Sequence, residues 1–254
     1  MIIRKSRQEI DAMARAGEVV AGCLELLYEN IRPAVTTAEL DQLADEYIRS
    51  HGGVPTFKGY RGYPASICAS PNAMVVHGIP GPYALEDGDV LSVDVGVTLD
   101  GFVADSAWTF PVGEIPPAAE RLLEVCEASL YAGIEQARVG NRLSDISHAI
   151  QSVVEDAGFS VIRALVGHGV GRSMHEDPQI PNYGPPGRGP LLQEGMTLAI
   201  EPMITSGAAE VVLHDDEWSI SSADDSLAAH FEHTVAVTAD GPRILTKAAA
   251  PLLR

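Results

Sequence analysis

Among its 254 residues the sequence has no run of 18 apolar positions, so no segment reads as a membrane-spanning helix. The opening residues, MIIRKSRQEIDAMARAG, lack the apolar core of a signal peptide. Three cysteines, Cys23, Cys68 and Cys126, are an odd number without CxxC spacing, which indicates neither a disulfide framework nor a zinc ribbon. Basic residues are scarce, 17 against 35 acidic, and the net charge is −18. Nucleic acid and anionic membrane surfaces would repel such a chain, so neither is expected as a partner, and the acidity reads as solubility. No low-complexity tract or flexible linker interrupts the sequence. These absences leave the cytoplasm as the expected location and one domain, residues 1–254, as the expected organisation. Hydrophobic residues make up 46% and charged residues 20%, enough for a full core.

The most informative stretch that is present runs from Val90 to Phe110. Leu91, Val93, Val95, Val97 and Leu99 alternate with Ser92, Asp94, Gly96 and Thr98, the period of a half-buried strand. Asp100-Gly101 then offers the pair preferred in a two-residue hairpin turn, where both positions need positive φ. With that turn, opposed residues have numbers summing to 201, so Asp105 faces Gly96 and Asp94 faces Ala107. Asp94 and Asp105 are then diagonal neighbours on one face. Two carboxylates converging in an apolar hairpin repel unless one is protonated or a cation lies between them. The alternative is that Asp105 caps a turn while Asp94 meets a surface lysine.

Helical spacing runs from Arg7 to Tyr28, with Ser6 and Glu9 forming a capping box. Thr37 is expected to cap a second helix that stops at Gly52-Gly53. A long helix over Ala118 to Arg138 and a shorter one opened by Ser144 and ended at Gly158 follow. Shifted by 106, Leu40 falls on Ile146, Leu43 on Ala149, Ile48 on Val154 and Gly52 on Gly158. The chain is therefore expected to hold a duplicated α+β unit, roughly 1–110 and 118–254. Residues 57–80 read as strand and loop, and Val161 to Val166 as a short strand. Residues 179–193 are expected to be an ordered loop without regular structure, and Phe231 to Thr238 the last strand.

Three further ligand-type residues sit at strand ends: His168 between Gly167 and Gly169, Glu201 before Pro202, and Glu232 at the opening of the last strand. Singly, each reads more readily as a satisfied turn histidine or a surface glutamate than as a ligand. Their order after Asp94 and Asp105, with VGHGVG, EGMTLAIEP and FEHTVAVT around them, resembles methionine aminopeptidase type I over nearly the whole chain.

The resemblance implies the α+β pita-bread fold, two pseudo-symmetric halves around a central antiparallel sheet. It implies two divalent metal ions bridged by Asp105 and Glu232, one also bound by Asp94, the other by His168 and Glu201. Cobalt, manganese, iron and zinc all suit this oxygen-dominated set. The implied reaction removes the N-terminal methionine of nascent proteins and peptides whose second residue is small, with a metal-bridging hydroxide as nucleophile. Glu201 would also shuttle a proton, His175 would donate to the oxyanion, and His77 to the amide beyond the scissile bond. Phe57, Tyr60, Tyr63, Cys68, Met174 and Trp218 would wall the methionine pocket. Backbone carbonyls of Asn72 and Met74 would hold a structural monovalent cation.

The sequence departs from the family pattern at Met174, where an aromatic is common, and at Leu165, where one precedes the GHG; both bear on pocket shape. A monomer is expected, and any ribosome contact would use the domain's own surface. Two other functions were weighed: a proline-specific peptidase such as prolidase, usually preceded by a large N-terminal domain, and a non-catalytic binding module of this fold. Survival of all five ligands tells against the second.

Overall fold

Ser6 sets the start of helix α1 (Arg7–Asn30): its hydroxyl oxygen accepts from the Glu9 N–H, and the Glu9 carboxylate accepts from the Ser6 N–H at 2.9 Å. Met13, Val20, Leu24 and Leu27 form its buried stripe. The structure, a computed structural model, describes residues 1–248. Residues 249–254, the end of the expected domain, lie outside the described residues.

Helix α2 (Thr37–Ser50) is capped by Thr36, not by Thr37 as expected. With two adjacent threonines the partner decides, and Glu39 stands three residues beyond Thr36, closing a second capping box. The Thr37 hydroxyl instead donates to the Gly81 carbonyl at 3.1 Å. Helices α3 (Pro117–Glu135) and α4 (Leu143–Asp156) follow. α4 starts at Leu143 with Arg142 in the cap position, where the Arg142 N–H donates to the Asp145 carboxylate at 2.7 Å. Ser144, the expected cap, accepts from the Arg188 N–H instead.

The internal repeat is visible in these bounds. α2 and α4 are offset by 106 residues at both ends, and so are the short strands Val54–Pro55 and Ser160–Val161. Gly52 and Gly158 end the helices at the same offset with φ of +76° and +86°, a conformation a side chain would resist.

In the first half, strands Val90–Leu99 and Phe102–Pro111 form a long hairpin, with Ile67–Pro71 antiparallel on the other side of Val90–Leu99. In the second half, five antiparallel strands run in the order Gly241–Ile244, His233–Thr238, Thr197–Ile200, Val166–Gly169, Glu176–Pro181. The halves meet where the Glu232 N–H donates to the Ala107 carbonyl at 2.8 Å and the Thr234 hydroxyl to the Asp105 carbonyl at 2.9 Å.

Three expectations need correction. The strand over Val161 to Val166 is two strands, Ser160–Val161 and Val166–Gly169, in different sheets. The loop over 179–193 begins inside a strand, Glu176–Pro181, whose prolines are tolerated because it lies at the sheet edge. The last strand is Gly241–Ile244, a partner of His233–Thr238, and Glu232 lies just before that strand rather than opening it.

Candidate metal centre and pocket

The hairpin register places Gly96 opposite Asp105 and Asp94 opposite Ala107, so the two aspartates share a face as the two-residue turn requires. Asp100 and Gly101 take φ of +51° and +78°. Asp105 is buried; its Oδ1 accepts from the Thr234 hydroxyl at 3.1 Å, while Oδ2 has no partner. Asp94 Oδ1 and Glu232 Oε1 are likewise buried and unpartnered.

His168 Nδ1 lies 2.8 Å from the Gly169 carbonyl, to which only a protonated Nδ1 can donate. The lone pair is therefore on Nε2, 3.6 Å from Asp105 Oδ2 and 3.5 Å from Glu201 Oε1. The flanking glycines serve strand packing: a Cβ would come within 2.5 Å of the Ala199 carbonyl oxygen at Gly167, and within 2.2 Å of the Asp177 carbonyl oxygen at Gly169. The ligand-type atoms of Asp105, His168 and Glu232 lie within 4.8 Å of one another.

Burial first, and mutual repulsion second, hold the carboxyls of Asp94, Glu201 and Glu232 well above the ordinary range. Burial raises Asp105 and lowers His168, which keeps the imidazole neutral. Unpartnered carboxylate oxygens facing an imidazole lone pair are a donor set that fits divalent cations of intermediate hardness, which would replace repulsion by attraction. Asn182 Nδ2 donates to the Glu201 carbonyl at 2.9 Å and holds the backbone of that residue.

A cavity of about 290 Å³ opens from this cluster, and all six expected pocket residues line it. Phe57 lies against Gly96, where a Cβ would come within 2.7 Å of its ring. The Tyr63 hydroxyl lies 2.9 Å from the Gly78 carbonyl oxygen and 3.0 Å from that of Ile67, and its ring meets Trp218 edge-on at 5.0 Å. Cys68 and Met174 are buried beside them, so sulfur and aromatic faces alternate along the wall. Leu165 also lines the cavity, as the departure at that position led us to expect.

His77 and His175 both face the cavity. Burial pushes His77 down to about 4. Desolvation of the His175 ring where it faces the cavity, with the His168 imidazole beside it, pushes His175 down to about 4 although the residue as a whole is exposed, so both are neutral at pH 7. His175 stands exposed at the mouth with its ring 4.3 Å from that of His168, and its Nδ1 is 2.8 Å from the Tyr60 hydroxyl. His77 holds φ of +60°, an uncommon conformation for a residue with a side chain.

Sequence reasoning missed His230. It is buried, its Nε2 is 3.6 Å from Glu201 Oε2, and it lines the same cavity. A signal existed, since His230 precedes Glu232 by two residues. The Asn72 carbonyl, expected to face a cation, accepts from the Ala228 N–H at 3.0 Å.

Buried carboxylates around a neutral imidazole, seated where two pseudo-symmetric α+β halves meet, define a metallohydrolase of the pita-bread class. Residues 11–239 match the metallopeptidase family M24. A methionine aminopeptidase of Clostridium perfringens is 54% identical, over 97% of this chain and 99% of the relative. The crystal structure of methionine aminopeptidase from Thermotoga maritima superposes with a TM-score of 0.96 at 46% identity, covering 97% of this chain and 100% of that one. The chain belongs to metallopeptidase family M24 and, within it, to the methionine aminopeptidases. A prolidase from Pyrococcus furiosus, 20% identical with a TM-score of 0.80, shares the fold; this chain covers 66% of its length.

Proposed function

We propose that the protein removes the N-terminal methionine from peptides and nascent chains whose second residue is small. The observation that carries this reading is the joining of the carboxylate–imidazole cluster to a cavity walled by Phe57, Tyr63, Cys68, Met174 and Trp218. Asp94, Asp105, His168, Glu201 and Glu232 would hold two divalent ions, cobalt, manganese, iron or zinc, with Asp105 and Glu232 shared between them. Such ions supply Lewis acidity to the scissile carbonyl and lower the pKa of water so that a nucleophile is available near neutral pH.

The side chains then have separate tasks. The pocket takes up the methionine side chain by dispersion and sulfur–aromatic contact and excludes water from the bond to be cut. Glu201 accepts a proton from the attacking water and returns it to the leaving amine. With the Tyr60 hydroxyl, 2.8 Å from His175 Nδ1, acting as donor in this reading, the proton stays on Nε2, where it can be donated to the oxyanion. His77, kept neutral by burial, donates to the amide one bond further along the substrate.

Asn72 and Met74 would serve a structural monovalent cation only if the Asn72 carbonyl shares its second lone pair. A single catalytic domain built from a duplicated unit, acting as a cytoplasmic monomer on chains leaving the ribosome, completes the proposal. It is supported by the helix offset and by the lack, among the described residues, of any helix long and apolar enough to cross a membrane.

The test is release of the first residue from Met-Ala-Ser and Met-Leu-Ser. The first should be cleaved and the second resist; similar kcat/KM on both, or faster cleavage of an X-Pro bond, overturns the reading and favours a proline-specific peptidase.

A further inference from the structure

The loop carrying Met174 and His175 is tied down by a residue far away in sequence. The Lys5 ammonium donates to Glu176 Oε2 at 2.5 Å and to the Ile3 carbonyl at 3.3 Å. Both partners of this ion pair are buried, with side-chain exposures of 4% and 9%. The other carboxylate oxygen, Oε1, accepts from the backbone N–H groups of Arg172 at 2.9 Å and Ser173 at 3.3 Å. Glu176 thus spends one oxygen on Lys5 and the other on the two residues just before Met174 and His175.

Lys5 itself is fixed to the second-half sheet. Its N–H donates to the Gly195 carbonyl at 2.7 Å, and the Gly195 N–H donates to the Val237 carbonyl at 2.9 Å. A Cβ on Gly171 would lie 2.4 Å from Lys5 Cε and one on Gly195 2.6 Å from the Lys5 carbonyl oxygen, so backbone packs closely on both sides of Lys5. The same N-terminal segment touches the loop a second time, where Glu9 meets the Arg172 guanidinium at 3.4 Å. Buried charges are worth their desolvation only where geometry and additional hydrogen bonds are good, and here all the polar atoms of the pair are engaged.

We propose that Lys5 is a positioning residue: it anchors Glu176 and, through it, sets the backbone that presents Met174 and His175 to the substrate. The proposal rests on the role given above to His175. A displacement on the order of 1 Å at a donor far from the mutated atom reduces turnover by up to about 10²-fold.

The experiment combines Lys5→Met with His175→Ala, in metal-loaded protein assayed on Met-Ala-Ser well below the unfolding temperature. Lys5→Met should lower kcat between about 10- and 100-fold and leave metal stoichiometry unchanged. In a His175→Ala background it should lower kcat little further, because the donor it positions is gone. Amide hydrogen exchange of the metal-free protein should show lost protection at Arg172 and Ser173. Should Lys5→Met fold poorly, Lys5→Met/Glu176→Gln removes both buried charges together, and the same losses are expected from it.

A kcat within twofold of the parent, losses that multiply with those of His175→Ala, or unchanged protection at Arg172 and Ser173 would each overturn the proposal. Unchanged kcat in His175→Ala alone would instead refute the reading of His175, while the exchange data would still decide whether the anchor exists.

Discussion

The carboxylate–imidazole cluster and the cavity beside it adjoin, yet they are built differently. The cluster's carboxylates and imidazole stand on or beside strands whose hydrogen-bond registers fix where each side chain points. Apart from Cys68, which stands on the strand Ile67–Pro71, the pocket walls named above come from segments outside the strands: Phe57, Tyr60 and Tyr63 lie on one, Met174 and His175 on another, and Trp218 on a third. Strand register tolerates little movement, because a one-residue slip reverses every side chain. Loops can be adjusted by single substitutions, so specificity can vary while the chemistry stays put.

The sharpest break in that comparison is between two histidines seven residues apart. His168→Ala should lose metal affinity first, and with it nearly all activity. His175→Ala should keep both ions and lower kcat by about 10²–10³, more than it raises KM, because its hydrogen bond matters mainly in the transition state. Titration calorimetry of metal into both variants, beside steady-state kinetics, separates them. Equal loss of metal binding would place His175 in the cluster.

A smaller effect tests how the cluster is backed. His233 is buried between Ser106, Thr246 and the ring of Trp108, and burial pushes it down to about 3. The unfolded chain takes up this proton near pH 6.5 and the folded chain does not, so folding is favoured less as pH falls through that window. His233→Gln should remove this residue's share of the dependence and leave those of His77, His168 and His175. Relative to this variant the parent should lose about 2 kcal/mol between pH 6.5 and 5, read by urea unfolding at the two pH values. A pH-independent difference would mean that His233 is already protonated in the folded state.

The smallest effect belongs to the pocket. Met174 is a flexible wall where the family commonly has an aromatic, so substrates beginning with norleucine or ethionine in place of methionine should be accepted more readily here. Met174→Phe should reduce their kcat/KM relative to methionine by a few-fold, with metal affinity unchanged. If the ratio does not move, the pocket is shaped elsewhere, Leu165 being the next residue to change.

What was legible in the sequence was whatever local geometry decides. The Asp100-Gly101 turn has one hairpin register, which put Asp94 and Asp105 on the same face without any knowledge of the fold. The Ser6–Glu9 box set the start of α1, and the repeat at 106 residues anticipated the paired helices down to their end glycines. Local rules failed where two local candidates competed, as at Thr36 and Thr37, or where a neighbour had to be known. The end of the strand Glu176–Pro181 reads as loop because prolines are admissible only at a sheet edge, and edges are properties of the assembled sheet. His168, Glu201 and Glu232 could be grouped only through the family resemblance, and His230 was not grouped at all. Pairing of Val166–Gly169 and of His233–Thr238 with Thr197–Ile200 gathers them in the second half, and the Glu232 N–H to Ala107 and the Thr234 hydroxyl to Asp105 set them against the Asp94–Asp105 hairpin of the first. Periodicity reports which face of a strand a side chain occupies, but not which strand lies opposite that face; only the tertiary structure decides that, because the burial and backbone pairing that select it are summed over the whole chain.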